Sequence, residues 1–100
     1  MEKKTPHYSL ELVKALLAQK RATLTRMAAQ GATALGMNKD DVFDVVSGLT
    51  PKDLHKSMTT HADHTIWQDV YKPNTLAGRV YLKLTVQDGL LIVSFKEDES

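Results

Sequence analysis

The side chains best suited to chemistry in this chain are Lys56, Gln68 and Tyr81, all in its C-terminal half. A lysine ammonium neutralises anionic oxygens, a glutamine amide orients a hydrogen-bonded partner, and a tyrosine hydroxyl donates a proton. Such groups can hold a phosphodiester, neutralise the charge that develops on it and protonate a departing oxygen. Together they predict a phosphodiester site rather than a passive surface.

Tyr81 lies in the clearest strand pattern, residues 79–86, where apolar and polar residues alternate. Successive side chains of a strand point to opposite faces, so the polar set is expected on an open face. Arg79 and Lys83 then flank Tyr81 and are expected to bind backbone phosphates. A merely solvated face is the alternative reading of this strand. The polar set is Arg79, Tyr81, Lys83 and Thr85, and the apolar set is Val80, Leu82, Leu84 and Val86.

Lys56 and Gln68 fall in two other predicted strands, residues 55–60 and 66–71. Alternation places Gln68 on the face opposite to Trp67, so one of the two must look outward. A lone lysine on an edge strand commonly prevents edge pairing, and a lone glutamine commonly has no role. Convergence of the three side chains depends on strand order, which the sequence leaves open.

The elements that must position these residues follow one another as helices and then strands. Helical periodicity covers residues 9–20, 25–35 and 39–48, with Ser9 and Asn38 as N-caps. A further strand covers residues 90–96, after a two-residue hairpin turn at Asp88-Gly89. This order predicts a two-layer α+β fold with the N-terminal helices on one face of a C-terminal antiparallel sheet. We expect a single domain over residues 1–100, with residues 97–100 as a frayed acidic tail.

The composition is that of an ordinary globular domain, with a net charge of +1 and a pI of about 8.0. No stretch approaches the roughly 18 apolar residues of a membrane span, and the first residues lack the apolar core of a signal peptide. The chain has no cysteine, which excludes disulfides and thiolate zinc sites. A cytoplasmic protein without membrane association is expected.

The histidines offer a weaker signal. His61 and His64 have a spacing that suits a metal only on a helix, whereas this segment reads as a loop without a third ligand. We therefore expect neither a metal site nor a cofactor. His64 would join an RNA-binding site if its loop folds over the sheet. Gly-rich phosphate loops, GxSxG elbows and cysteine nucleophiles do not occur.

Four segments carry a family resemblance: KSMTT (56–60), DHTIWQDVY (63–71), GRVYLKLTV (78–86) and LIVSFK (91–96). They closely resemble the motility quorum-sensing regulator toxins, the MqsR family. The opening EKKTPH (2–7) and the pattern L-x-x-V-K (10–14) are similar too, whereas residues 15–50 match loosely.

The resemblance implies a RelE-like toxin of a type II toxin–antitoxin pair, an mRNA interferase that cuts at GCU-type triplets and inhibits translation. It implies a partner as well, an MqsA-like antitoxin with a zinc-binding domain and a helix-turn-helix domain. The complex would repress its own operon, so operator DNA would be bound only through the antitoxin. The family's proposed catalytic residues fall on Lys56, Gln68 and Tyr81.

Such an enzyme can cut RNA without a metal if the 2′-hydroxyl attacks the adjacent phosphorus. Lys56 would then neutralise the phosphorane, Tyr81 would protonate the leaving oxygen and Gln68 would orient the phosphate or a base. The general base is not identified: a lysine of lowered pKa at position 56, His64 or in-line positioning alone are the alternatives. The rival functions are a non-enzymatic RNA- or DNA-binding regulator that uses the basic sheet face, and a protein-interaction domain.

Overall fold

The computed structural model describes residues 1–99 and contains three helices, one short 3₁₀ turn and seven strands. The helices are α1 (Leu10–Ala18), α2 (Arg26–Ala34) and α3 (Lys39–Ser47), and the turn is Pro51–Asp53. The strands are β1 (Glu2–Lys3), β2 (Ala22–Leu24), β3 (Leu54–Thr59), β4 (Trp67–Tyr71), β5 (Asn74–Thr75), β6 (Gly78–Val86) and β7 (Leu90–Glu97). No helix within residues 1–99 is long and apolar enough to cross a membrane.

The strands form one sheet in the order β1-β3-β4-β6-β7-β2, with β5 paired to β6. All pairings are antiparallel except that between β2 and β7, which is parallel. The predicted α+β fold is therefore confirmed, with one correction: the sheet is mixed, and N-terminal strands form both of its edges. β1, β2 and β5 were not predicted, because strands of two or three residues are too short to show a period.

The helices and one sheet face enclose a single apolar core. Its buried members include Val13 and Leu16 of α1, Val42 and Val46 of α3, and Phe95 of β7. Ser9 accepts a hydrogen bond from the Leu12 amide, which confirms it as the N-cap of α1. Asn38 and Asp41 form a reciprocal capping box at α3.

Helix α2 covers the part of the β7 edge that β2 leaves unpaired. The Thr25 amide donates to the Ile92 carbonyl, and the Thr25 hydroxyl donates to the Val93 carbonyl. Gly31 then lies so close to β7 that a Cβ atom there would be 1.9 Å from the Phe95 carbonyl oxygen. A glycine that lowers helix propensity is thus required by the close packing of helix and strand.

The predicted frayed tail is wrong for Glu97 and Asp98. Glu97 is the last residue of β7, and the Asp98 amide donates to the Arg79 carbonyl at 2.9 Å. The Asp98 carboxylate is only 4% exposed and forms ion pairs with Lys72 and Arg79. Lys72, just after β4, and Arg79 of β6 pair with the acidic end, and a charge count along the chain does not show this pairing. Ser100, also part of the predicted tail, lies outside the described residues.

Candidate active site

The strand register places Lys56 and Lys83 on the same face of the sheet. Lys56 pairs with Val70, Val70 pairs with Lys83, and Lys83 pairs with Ser94. Residues opposite one another across a ladder point to the same side, so these four form one row on the face that we call the site face. Val70 is fully buried in this row although it does not belong to the apolar core. The lysines therefore lie on either side of a covered valine.

A second row, one step along the strands, holds Tyr81 of β6 opposite Lys96 of β7. The ammonium of Lys96 lies 5.3 Å from the centroid of the Tyr81 ring, and that of Lys83 lies 6.0 Å from it. Tyr81 is thus bracketed by two cations on the site face. This arrangement would hold an anion next to a phenolic proton donor.

The lysines are close enough to affect one another's protonation. Burial, followed by the charges of Lys96 and Lys56, holds the pKa of Lys83 below its usual value. Like charges destabilise the protonated form, and a bound anion relieves that repulsion. Binding of an anion such as a phosphodiester to the site face is therefore electrostatically favourable.

Lys96 reaches the site face because of a β-bulge that the sequence did not predict. The β6–β7 register shifts by one residue after Lys83/Leu84: Leu84 pairs with Ile92, whereas Lys83 pairs with Ser94. Val93 is the extra residue. It reverses the alternation, so that Phe95 enters the core and Lys96 joins Tyr81. The turn between the strands has three residues, 87–89, rather than the predicted two.

Gln68 shares the site face but lies in a different row, with Met58 of β3 and Glu2 of β1. Trp67 points to the other face, where its ring stacks on His7 at a centroid distance of 5.0 Å. Gln68 is therefore the member of this pair that lies on the site face. Four residue positions along the ladder separate Gln68 from the level of Tyr81, roughly 13 Å of strand. The two side chains are too far apart to share one phosphate oxygen.

Glu2, like Lys96, is a site-face residue that the sequence did not single out. Its Oε1 accepts a hydrogen bond from Lys56 Nζ at 2.7 Å. That hydrogen bond, with the charge of Lys56, lowers the pKa of the Glu2 carboxyl group. The β1–β3 pairing that brings Glu2 here spans only two residues, which gives no sequence signal.

Arg79 and His64 are placed less directly than expected. Arg79 points to the site face, but its Nε lies 3.4 Å from Asp98 Oδ2. His64 is exposed in the loop between β3 and β4, at the end of the sheet beyond Gln68 and away from Tyr81. Among residues 1–99 there is no group of three or more His, Asp or Glu side chains that could hold a metal ion.

Thr85 is the member of the polar set that does not face solvent. It is 2% exposed, and its hydroxyl donates to the Trp67 carbonyl and contacts the Tyr8 hydroxyl. The prediction of an open position is wrong here, because the Thr85 hydroxyl is hydrogen-bonded to the neighbouring strand and is contacted by Tyr8. Asp69 fastens the same segment by accepting from the amides of His7 and Tyr8 and from the Ser57 hydroxyl.

His55 lies at the bulge in β3, next to Lys56. Desolvation, followed by the charges of Lys72, Lys4 and Lys56, lowers the pKa of this imidazole below its usual value. The neutral imidazole is therefore favoured at this position beside the site face more than in an ordinary histidine.

Two comparisons with known proteins give matches over nearly the whole chain. The family model described as "Motility quorum-sensing regulator, toxin of MqsA" matches residues 5–97. The curated protein named mRNA interferase toxin MqsR, from Escherichia coli (strain K12), is 52% identical over 97 residues. That alignment covers 97% of this chain and 99% of the relative.

Proposed function

The chain belongs to the motility quorum-sensing regulator toxin family, and from this membership we propose that it cuts mRNA at GCU-type sites through metal-independent attack by the RNA's own 2′-hydroxyl. It is an endoribonuclease and the toxin of a toxin–antitoxin pair. The observation that carries the proposed mechanism is the placement of Tyr81 between Lys83 and Lys96, with Lys56 in the adjacent row.

In the proposed reaction the scissile phosphate lies over the covered Val70, between Lys56 and Lys83. These ammonium groups neutralise the negative charge that grows on the phosphorane. Val70 offers no competing polar group, so the phosphate oxygens meet only the cations. The site requires no rearrangement of the sheet, because both lysines are on strands that pair with β4.

Tyr81 protonates the 5′ oxygen as it leaves. Lys96 above its ring stabilises the phenolate that results. Gln68, a row away, contacts a neighbouring nucleotide and orients its base or phosphate. At the Tyr81 end of the site face, a substrate phosphate competes with Asp98 for Arg79, so that Arg79 binds the RNA backbone. At the other end, beyond Gln68, His64 contacts the RNA. The bound strand thus runs from the His64 loop past Gln68 and Lys56 to Tyr81 and Arg79.

The experiment is cleavage of two matched RNAs, one with a single GCU and one with that triplet scrambled, in excess chelator. We expect one cut, only in the first RNA, with a 5′-hydroxyl end on the downstream product. A single 2′-deoxy substitution before the scissile phosphate should abolish the cut. Cleavage of the deoxy substrate, or loss of activity that magnesium restores, would rule out the mechanism. Binding without cleavage by folded protein would favour a regulator instead.

We further propose an MqsA-like, zinc-binding, helix-turn-helix antitoxin as the partner, with operator DNA bound only by the complex. The family description names MqsA as the antitoxin of these toxins. The partner should suppress cleavage of the GCU RNA when added in stoichiometric amount. Gel-shift titration of operator DNA should show binding by the complex and none by the toxin alone. Since the substrate is mRNA, we place the activity in the cytoplasm.

A further inference from the structure

The carboxylate of Glu2 lies at the site face because β1 adds to the edge of β3. Glu2 pairs with Met58 in register, and its side chain points to the same side as Lys56. The carboxylate is 57% exposed and accepts a 2.7 Å hydrogen bond from Lys56 Nζ, whose own side chain is 24% exposed. Thr59 anchors the start of this strand, because its amide donates to the Met1 carbonyl and its hydroxyl accepts from the Met1 amino group.

The proposed reaction lacks a group to take the proton of the 2′-hydroxyl. Lysine and tyrosine side chains, with reference pKa values of about 10.4 and 10, hold their protons at neutral pH. Glutamine does not titrate. A carboxylate or a neutral imidazole beside the phosphate would supply the missing base.

We propose that Glu2 is the general base of this ribonuclease, an inference that rests on the proposed function. In the free protein Glu2 is held by Lys56. When a phosphate oxygen of the substrate replaces Glu2 as the partner of Lys56 Nζ, the Glu2 carboxylate becomes free to contact the attacking nucleotide. The 2′ oxygen of that nucleotide lies about 3 Å from the phosphorus in a reactive geometry. A carboxylate that contacts the Lys56 ammonium is thus on the β1 side of a phosphate bound there, and Tyr81 is on the β6 side.

The proton and bond changes balance with the groups present. A Glu2 oxygen takes the 2′-hydroxyl proton while the 2′ oxygen forms a bond to phosphorus. The bond between phosphorus and the 5′ oxygen breaks, and Tyr81 gives that oxygen its proton. The products are a 2′,3′-cyclic phosphate and a 5′-hydroxyl end. Solvent then reprotonates Tyr81 and removes the proton from Glu2.

Other basic groups near the site are less suitable. Asp98 is paired with Lys72 and Arg79 and is almost fully buried. Asp69 points to the opposite face and accepts hydrogen bonds from the N-terminal segment. His55 is the serious rival, since it is next to Lys56 and neutral. No hydrogen bond joins its ring to another side chain of the site face within the described chain, whereas Glu2 contacts Lys56 directly.

The charges around Glu2 are positive on every side that packs against it: Lys56 from β3, Lys4 from the following segment and the N-terminal amino group. These keep the carboxylate ionised down to a pH below its ordinary value of 4.5. A glutamate base and a histidine base therefore predict different acid limbs of the pH–rate profile. The glutamate limb lies below 4.5 and the histidine limb lies below 6.5, and only the histidine limb should disappear in His55→Gln.

The test is single-turnover cleavage of the GCU RNA by full-length Glu2→Ala, with Glu11→Ala, an exposed glutamate of α1, as the matched control. We expect a loss of roughly 10²–10⁴-fold for Glu2→Ala with RNA affinity retained, and no loss for the control. Added acetate or formate should restore part of the rate. Glu2→Asp, which keeps a carboxylate, should lose less than Glu2→Ala.

A Glu2→Ala rate within about threefold of wild type would overturn the assignment. So would a loss that neither acetate nor formate relieves, which would leave Glu2 only a positioning role for Lys56. A wild-type acid limb that His55→Gln removes would give the role to His55. If wild type itself cuts no RNA, the proposed function fails and not merely this assignment.

Discussion

Lys96 and Tyr81 face each other directly across the β6–β7 ladder, with the ammonium 5.3 Å from the ring centroid. The bulge at Val93 creates this pairing. The bulge in β7 thus places a cation beside Tyr81, the acid of the proposed mechanism. The same region carries several consequences that can be measured.

Loss of the proposed acid or of the phosphorane-binding cation should slow cleavage strongly. We expect Tyr81→Phe and Lys56→Ala each to reduce the single-turnover rate by about 100-fold or more, with unchanged folding. Tyr71→Phe and Lys52→Ala, which alter residues outside the site face, are the matched controls and should cut at wild-type rate. Near-normal cleavage by both site variants would remove this site from consideration.

Burial of the Lys83 charge, together with its repulsion by the other site lysines, should cost stability. The folded-state pKa of Lys83 is below its unfolded value of 10.5, so protonated Lys83 disfavours the fold at neutral pH. Stability should therefore rise as pH increases through the folded pKa towards 10.5. Lys83→Gln should raise Tm by ~3 °C at neutral pH, since the partial burial of this charge and its repulsion by Lys96 and Lys56 together cost under about 1 kcal/mol in a partly solvated site. The gain should shrink at high pH.

Thermal melts of Lys83→Gln and of Lys52→Gln, an exposed lysine, check this at neutral and alkaline pH. Added phosphate should also stabilise wild type more than Lys83→Gln. A lower Tm for Lys83→Gln than for wild type at neutral pH would mean that its aliphatic stem contributes more than its charge costs.

Gly31→Ala should destabilise the protein although alanine is the better helix former. The new methyl group would meet the Phe95 carbonyl oxygen at 1.9 Å, so α2 must shift away from β7. We expect a loss of about 2 kcal/mol or more in the free energy of unfolding. Gln30→Ala, at the exposed neighbouring position, should be neutral or slightly stabilising in the same denaturant titration. Equal stability of the two variants would show that α2 can move freely.

Removal of the Asp69 charge should release the N-terminal segment. Asp69 accepts hydrogen bonds from two amides and the Ser57 hydroxyl, so Asp69→Asn should lose about 2–4 kcal/mol. Trypsin should then cut after Lys3 or Lys4 faster than in wild type or in Asp44→Asn, an exposed control. Unchanged cleavage kinetics would mean that β1 holds the segment by itself.

Tyr71→Phe should stabilise the fold. The Tyr71 hydroxyl is buried without a hydrogen-bond partner among residues 1–99, and burial raises the pKa of this phenol to about 12. Its removal should increase the free energy of unfolding by about 1 kcal/mol. Tyr8→Phe should do the opposite, because the Tyr8 hydroxyl donates to the Trp67 carbonyl. Destabilisation of Tyr71→Phe by denaturant titration would show that the hydroxyl has a partner in solution.

Local patterns in the sequence were enough for much of the fold. Helix caps and a period near 3.6 located the three helices, and alternation in residues 79–86 placed Tyr81 and Lys83 together. Motifs over residues 56–96 identified the family. These features depend on residues that are close together in the chain, so the sequence alone determines them.

The tertiary structure decided which groups meet. Glu2 reaches Lys56 through a two-residue strand, and Lys96 reaches Tyr81 through a bulge. Asp98 is ordered by cations more than 15 residues away, and Gly31 is required by a carbonyl of β7. Each depends on pairing or close approach between distant segments, which local periodicity does not encode. The sequence therefore determined the strands and the type of chemistry, while the packing of the chain determined the partners of each catalytic candidate.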